Sequence, residues 1–112
     1  MDNIINLAQF LAVGSYDNVK AETFEFGTGQ WSTGDDYPFP TDPLGVDSYD
    51  MVYIEKESAF FVIGGRFRTT SGSFDNLATI AKYRNGAWSD AGQLTQPRMV
   101  IFLFSVSRLI QF

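Results

Sequence analysis

The sequence predicts an all-β protein whose antiparallel strands fall into repeated four-stranded units. Three observations carry this. Aromatic residues make up 16% of the 112 positions, with eleven Phe, five Tyr and two Trp, and such side chains fit a pleated, half-buried surface. Ten glycines punctuate apolar runs that are too short for helices. The order of features in the first half also recurs in the second.

The repeat is read residue by residue. Val13-Gly14-Ser15 resembles Ile63-Gly64-Gly65, 50 positions later. FGTGQWS, beginning at Phe26 and carrying Trp31, parallels YRNGAWS, beginning at Tyr83 and carrying Trp88, 57 positions later. YDNV from Tyr16 parallels FDNL from Phe74, 58 positions on, and Pro40 and Pro97 are again 57 apart. Only the stretch after the glycines changes length. The extra residues lie in RFRTTSGS, positions 66–73, a polar, turn-rich segment that reads as a loop.

Within the second copy the elements follow in order. Residues 51–54 (MVYI) form an apolar, β-prone strand, and 55–58 (EKES) a polar turn. Residues 59–63 (AFFVI) are continuously apolar and short enough for a buried strand. A loop is expected from 64 to 76, and a third strand from 77 to 84. Asn85-Gly86 is then the strongest two-residue hairpin signal, and a fourth strand starts at Ala87. That turn sets Arg84 opposite Ala87 and Tyr83 opposite Trp88. With Thr28-Gly29 as the matching turn, the first copy is expected to set Phe26 opposite Trp31. Each copy then carries an aromatic pair across a hairpin, worth roughly 0.2–1 kcal/mol beyond a reference pair.

The totals exclude several functions. Net charge is −5, and an acidic chain repels a phosphate backbone, so no nucleic-acid partner is expected. There is no His, which removes the commonest general base and metal ligand. There is no Cys, hence no disulfide, thiolate zinc site or Cys nucleophile. The first residues, MDNIINLAQF, lack the basic start of a secretory signal. The apolar run MVIFLFSVS from Met99 is far shorter than the roughly 20 residues of a membrane helix, so no membrane partner is expected.

Four strands in about 50 residues, with a glycine pair closing the second, then Tyr83, then Trp88, then QPR at 96–98, resemble a kelch-type β-propeller. The resemblance spans about residues 8 to 98. The first copy departs from it, with Ser15 for the second glycine and Phe26 for the tyrosine. The resemblance implies four-stranded antiparallel blades packed face to face, with the tyrosine and tryptophan serving the packing between them. On that reading residues 1–47 are a partial first blade and connector, 48–98 a second blade, and 99–112 the start of a third or a non-native tail. About two blades make an incomplete propeller, since closed rings use 4–8. Self-association through unpaired blade faces is expected to follow, and the apolar tail adds an aggregation hazard.

Candidate chemistry is sparse. Gly64-Gly65 is followed by Arg66-Phe67-Arg68, with no further ordered glycine and no helix, so a phosphate loop is not expected and the pair reads as a strand end. Asp35, Asp36, Asp42, Asp47 and Asp50 crowd a proline-rich stretch but lack the spacing of a calcium loop. They read as a solvated connector, in which the prolines at 38, 40 and 43 exclude a central strand. No cofactor, metal or catalytic constellation is expected. The inserted loop is the candidate site, with Arg66, Arg68, Thr69 and Thr70 as partner-binding residues. The expected function is a non-catalytic module that binds a protein partner through its loops. The alternative is a piece of a propeller enzyme, galactose-oxidase-like or sialidase-like, with catalytic residues outside this chain.

Overall fold

The computed structural model describes residues 9–41 and 43–99. In chain order the strands are β1 Gln9–Ser15, β2 Asn18–Glu25, β3 Gln30–Thr33, β4 Gly45–Asp47 and β5 Asp50–Ile54, then β6 Ala59–Ile63, β7 Arg66–Arg68, β8 Phe74–Asn76, β9 Thr79–Arg84 and β10 Ala87–Gln93. The protein is all-β and antiparallel. The first sheet has the order β1-β2-β3, the second β5-β6-β9-β10, and a small third sheet β4-β7-β8. The first eight residues, Asp42 and the apolar run beyond Met99 lie outside the described residues.

The second sheet follows the local chemistry of its sequence. Its outer pair of turns is a 3₁₀ turn at Glu55–Glu57 and the Asn85-Gly86 turn. Asn85 and Gly86 both have positive φ, 53° and 82°, as a type I′ turn requires. Tyr83 therefore pairs with Trp88, and Phe60 of β6 extends the row on the other side. The two rings of the hairpin lie 4.7 Å apart.

The first sheet corrects one expectation. Phe24, rather than Phe26, pairs with Trp31, and the connection is a four-residue turn closed by Gly29 N–H donating to the Glu25 carbonyl at 2.8 Å. A two-residue turn at Thr28-Gly29 needs positive φ at a β-branched residue, which is costly. Only Gly29 takes that conformation, with φ 69°. Phe26 sits in the turn and leans its ring on Phe10 and Phe24.

The loop expected from 64 to 76 is also corrected. It contains β7 and β8, which pair with each other, and β7 pairs with β4, so the connector ends in an edge strand. The glycines do close a strand. Gly64 and Gly65 have φ of 63° and 111°, and a Cβ on Gly65 would press on the Asp47 carbonyl and on Tyr49. Only glycine takes this path without strain.

The core lies between the first and second sheets and under the third. Leu11, Val13 and Ala21 face Phe60, Val62, Ala81 and Tyr83, with Val46 and Tyr37 closing the sides. Each fully buried Val contributes about 1.5–3 kcal/mol through the water it no longer orders. Gly34 lets the sheets close, because a Cβ there would overlap the Tyr83 hydroxyl.

Candidate functional site

The inserted segment is a structured hairpin that belongs to the third sheet. One face of that sheet, Val46 and Phe67, packs on the core. The other face carries two rows set by register: Asp47, Arg66 and Asn76, then Gly45, Arg68 and Phe74.

The two arginines, candidates from sequence, share this face but differ in their partners. Arg66 meets Asp47 in a bidentate pair, with Nε and Nη2 at 3.0 and 2.9 Å from the two carboxylate oxygens. Its guanidinium also lies 4.2 Å from the centre of the Phe74 ring. The Arg66 hydrogen bond holds the Asp47 carboxyl below its ordinary range, against a smaller opposing effect of burial. Arg66 is therefore spent on holding β4 to β7.

Arg68 is held differently. Its Nε donates to the Tyr16 carbonyl at 2.9 Å, and its guanidinium lies 5.6 Å from the Tyr16 ring centre. Among the described residues no carboxylate pairs with it. The side chain is thus fixed by a backbone carbonyl and a ring, and among the described residues its Nη groups meet no carboxylate. Gly45 makes this possible: a Cβ there would collide with the Tyr16 carbonyl. Tyr16, Leu44 and Phe74 are exposed large hydrophobics beside it, and Leu44 donates its N–H to the Arg68 carbonyl at 2.9 Å.

Thr69 and Thr70 lie at the hairpin tip, away from the arginine rows. Thr69 N–H donates to the Ser73 carbonyl at 2.8 Å, and its hydroxyl pairs with that of Ser71 at 2.9 Å. Thr70 is exposed. Tyr16, Leu44, Asp47 and Phe74 belong to the surface and were not among the sequence candidates. One signal pointed to two of them: Tyr16 and Phe74 open the parallel stretches YDNV and FDNL.

The repeat residues fall elsewhere. Gly14, Gly64 and Gly65 lie at strand ends on the same side as the hairpin, and the Tyr83–Trp88 pair lies between the first and second sheets. Trp31 and Phe26 are on the open face of the first sheet.

At the opposite end, a cleft of about 430 Å³ opens between the first and second sheets, lined in part by Thr23, Thr33, Tyr53, Ser58, Phe60 and Arg84. Its ionisable lining is Arg84 with Tyr53 and Tyr83. Burial, then the Asp35 charge, raises the Tyr83 phenol above its ordinary value. Arg84 is tied to Glu57, donating to its carbonyl at 2.6 Å and lying 3.6 Å from its carboxylate. This cleft offers hydrogen bonds and aromatic surface to a small polar molecule.

Among the described residues no three acidic side chains gather as a metal site, and no helix is long and apolar enough to cross a membrane. In comparisons with known proteins, no family model and no curated protein matches the chain.

Proposed function

We propose that the chain is a non-catalytic, kelch-like repeat module that binds a protein partner through the loops at the glycine end of its sheets. The repeat reading is supported by the correspondence of the first two sheets. Phe10, Phe24 and Trp31 align in one row across the first sheet, as Phe60, Tyr83 and Trp88 do across the second. Gly14, near the end of β1, and Gly64, directly after β6, stand at corresponding places, four residues beyond Phe10 and Phe60.

The observation that carries the binding reading is Arg68. A guanidinium immobilised by Tyr16, without an acidic partner among the described residues and flanked by exposed rings, has already lost the freedom that binding would otherwise cost. Its planar fork suits a carboxylate, and the rings beside it suit an apolar or aromatic side chain. An acidic peptide segment with an adjacent aromatic residue fits that chemistry.

A peptide-display selection tests this on the wild-type chain and on Arg68→Glu, with circular dichroism establishing that both fold alike. Sequences pairing an acidic with an apolar or aromatic residue should be enriched by the wild type and lost with Arg68→Glu. No enrichment, or enrichment indifferent to Arg68→Glu, overturns the reading.

A further inference from the structure

The chain carries both halves of one interface twice, and only one of the two is closed. The closed one covers the row Phe60–Tyr83–Trp88 of the second sheet. Phe60 and Tyr83 are only 8% and 3% exposed there. What covers them is the inner face of the first sheet, where Leu11, Thr23 and Ser32 belong, together with the segment that follows β3. In that segment Gly34 makes room for Tyr83, the Asp35 carbonyl accepts from Trp88 Nε1 at 2.8 Å, and the Tyr37 ring packs 5.0 Å from Trp88.

The open half is the corresponding row of the first sheet. Phe10, Phe24 and Trp31 pack against one another with ring centres 5.1–5.6 Å apart. Yet Phe10 is 42% and Trp31 51% exposed, and Phe26 beside them is 59% exposed. A contiguous aromatic face of this kind marks an interaction surface.

The matching cover is present on the outer face of the second sheet. There Phe61, Lys82 and Ser89 form the row that corresponds to Leu11, Thr23 and Ser32. The segment after β10 repeats the one after β3 as well. Leu94 N–H donates to the Ala78 carbonyl at 2.7 Å, as Tyr37 N–H donates to the Val19 carbonyl at 2.8 Å. Leu94 therefore stands where Tyr37 does. Gly92 lies two residues before it, and a Cβ there would meet only Ile80 within 4 Å, at 3.9 Å.

We propose that copies of this chain associate head to tail, the aromatic face of the first sheet in one copy being covered by the outer face of the second sheet and the Leu94 segment of the next. The interface is heterologous: the two surfaces differ, and each copy offers one of each. It is independent of the Arg68 surface, which lies on the third sheet.

Sedimentation across the micromolar range tests this with the full chain, Trp31→Glu and Leu94→Glu, and an equimolar mixture of the two variants. The wild type should assemble with rising concentration. Each variant alone should stay monomeric, because every head-to-tail contact then contains a damaged surface. The mixture should recover a two-chain species, since the intact face of one variant meets the intact face of the other. A monomeric wild type overturns the proposal and leaves the face to a different protein. So does a Leu94→Glu variant that still dimerises, which would mean like faces pair. If Trp31→Glu or Leu94→Glu loses its circular dichroism spectrum, the serine variants Trp31→Ser and Leu94→Ser carry the same comparison.

Discussion

Tyr37→Phe should stabilise the fold. The Tyr37 ring is 1% exposed and packs edge-on against Phe39 and Trp88, at 5.6 and 5.0 Å. Its hydroxyl is the buried side-chain polar atom that finds no partner among the described residues. Burial, with Asp90 adding to it, pushes the phenol well above its ordinary value. An unpaired buried hydroxyl costs about 1–3 kcal/mol, and removing it leaves the ring contacts intact. The expected gain is about 1 kcal/mol, a rise of roughly 4–8 °C in Tm for a chain of this size. Urea unfolding should show a higher midpoint at unchanged slope. Alkaline stability supplies a second reading. A phenol whose folded pKa is raised contributes stability that is complete below its unfolded pKa, about 10, and is lost as pH rises through the folded value. Tyr37→Phe should flatten that loss. A variant less stable than the wild type by about 1 kcal/mol or more would show that the hydroxyl makes a bond worth keeping, and would refute the reasoning.

Two further substitutions probe the packing and the charge pair. Gly34→Ala forces a Cβ into the Tyr83 hydroxyl and toward the Gly86 Cα, so it should cost roughly 1–3 kcal/mol by thermal unfolding, as overpacking does; a neutral result would mean that the two sheets are not held at this distance. Asp47→Asn should remove part of the acid sensitivity of the fold. The Asp47 carboxyl is held below its ordinary range by Arg66, so its stabilisation is present above its unfolded pKa and is lost as pH falls through the lower folded value. Stability measured from neutral pH down through the carboxylate range should therefore fall less steeply in Asp47→Asn, and an identical slope would count against the pair.

What was legible in the sequence was local. The bounds of β6 follow from one uninterrupted apolar run, and the Tyr83–Trp88 register from the Asn-Gly turn. The strand-closing glycines were legible because their φ values exclude other residues. What was not legible depended on distant partners or on turn chemistry. Three-residue β7 and β8 carry little periodicity, and β7 is fixed by β4, some 20 positions upstream. The expected pairing of Phe26 with Trp31 rests on Thr28-Gly29, which occupies the site that Asn85-Gly86 fills in the second copy. Threonine does not tolerate the left-handed conformation that asparagine accepts, so the turn lengthens and the pair moves to Phe24.

The sequence also treated Arg66 and Arg68 as equivalent, and the neighbouring strand makes them different. Both project from one face of β7, two residues apart, so nothing in their own segment distinguishes them. The difference lies in β4, whose three residues are Gly45, Val46 and Asp47. Asp47 stands opposite Arg66 and neutralises it. Gly45 stands opposite Arg68 and, having no side chain, admits the Tyr16 carbonyl instead. A carbonyl orients a guanidinium without cancelling its charge. Alternation along β4 therefore turns two like arginines into one strut and one oriented cation, and Val46 between them anchors the strand in the core. The binding role proposed for the hairpin thus rests as much on Gly45 of β4 as on Arg68 of β7.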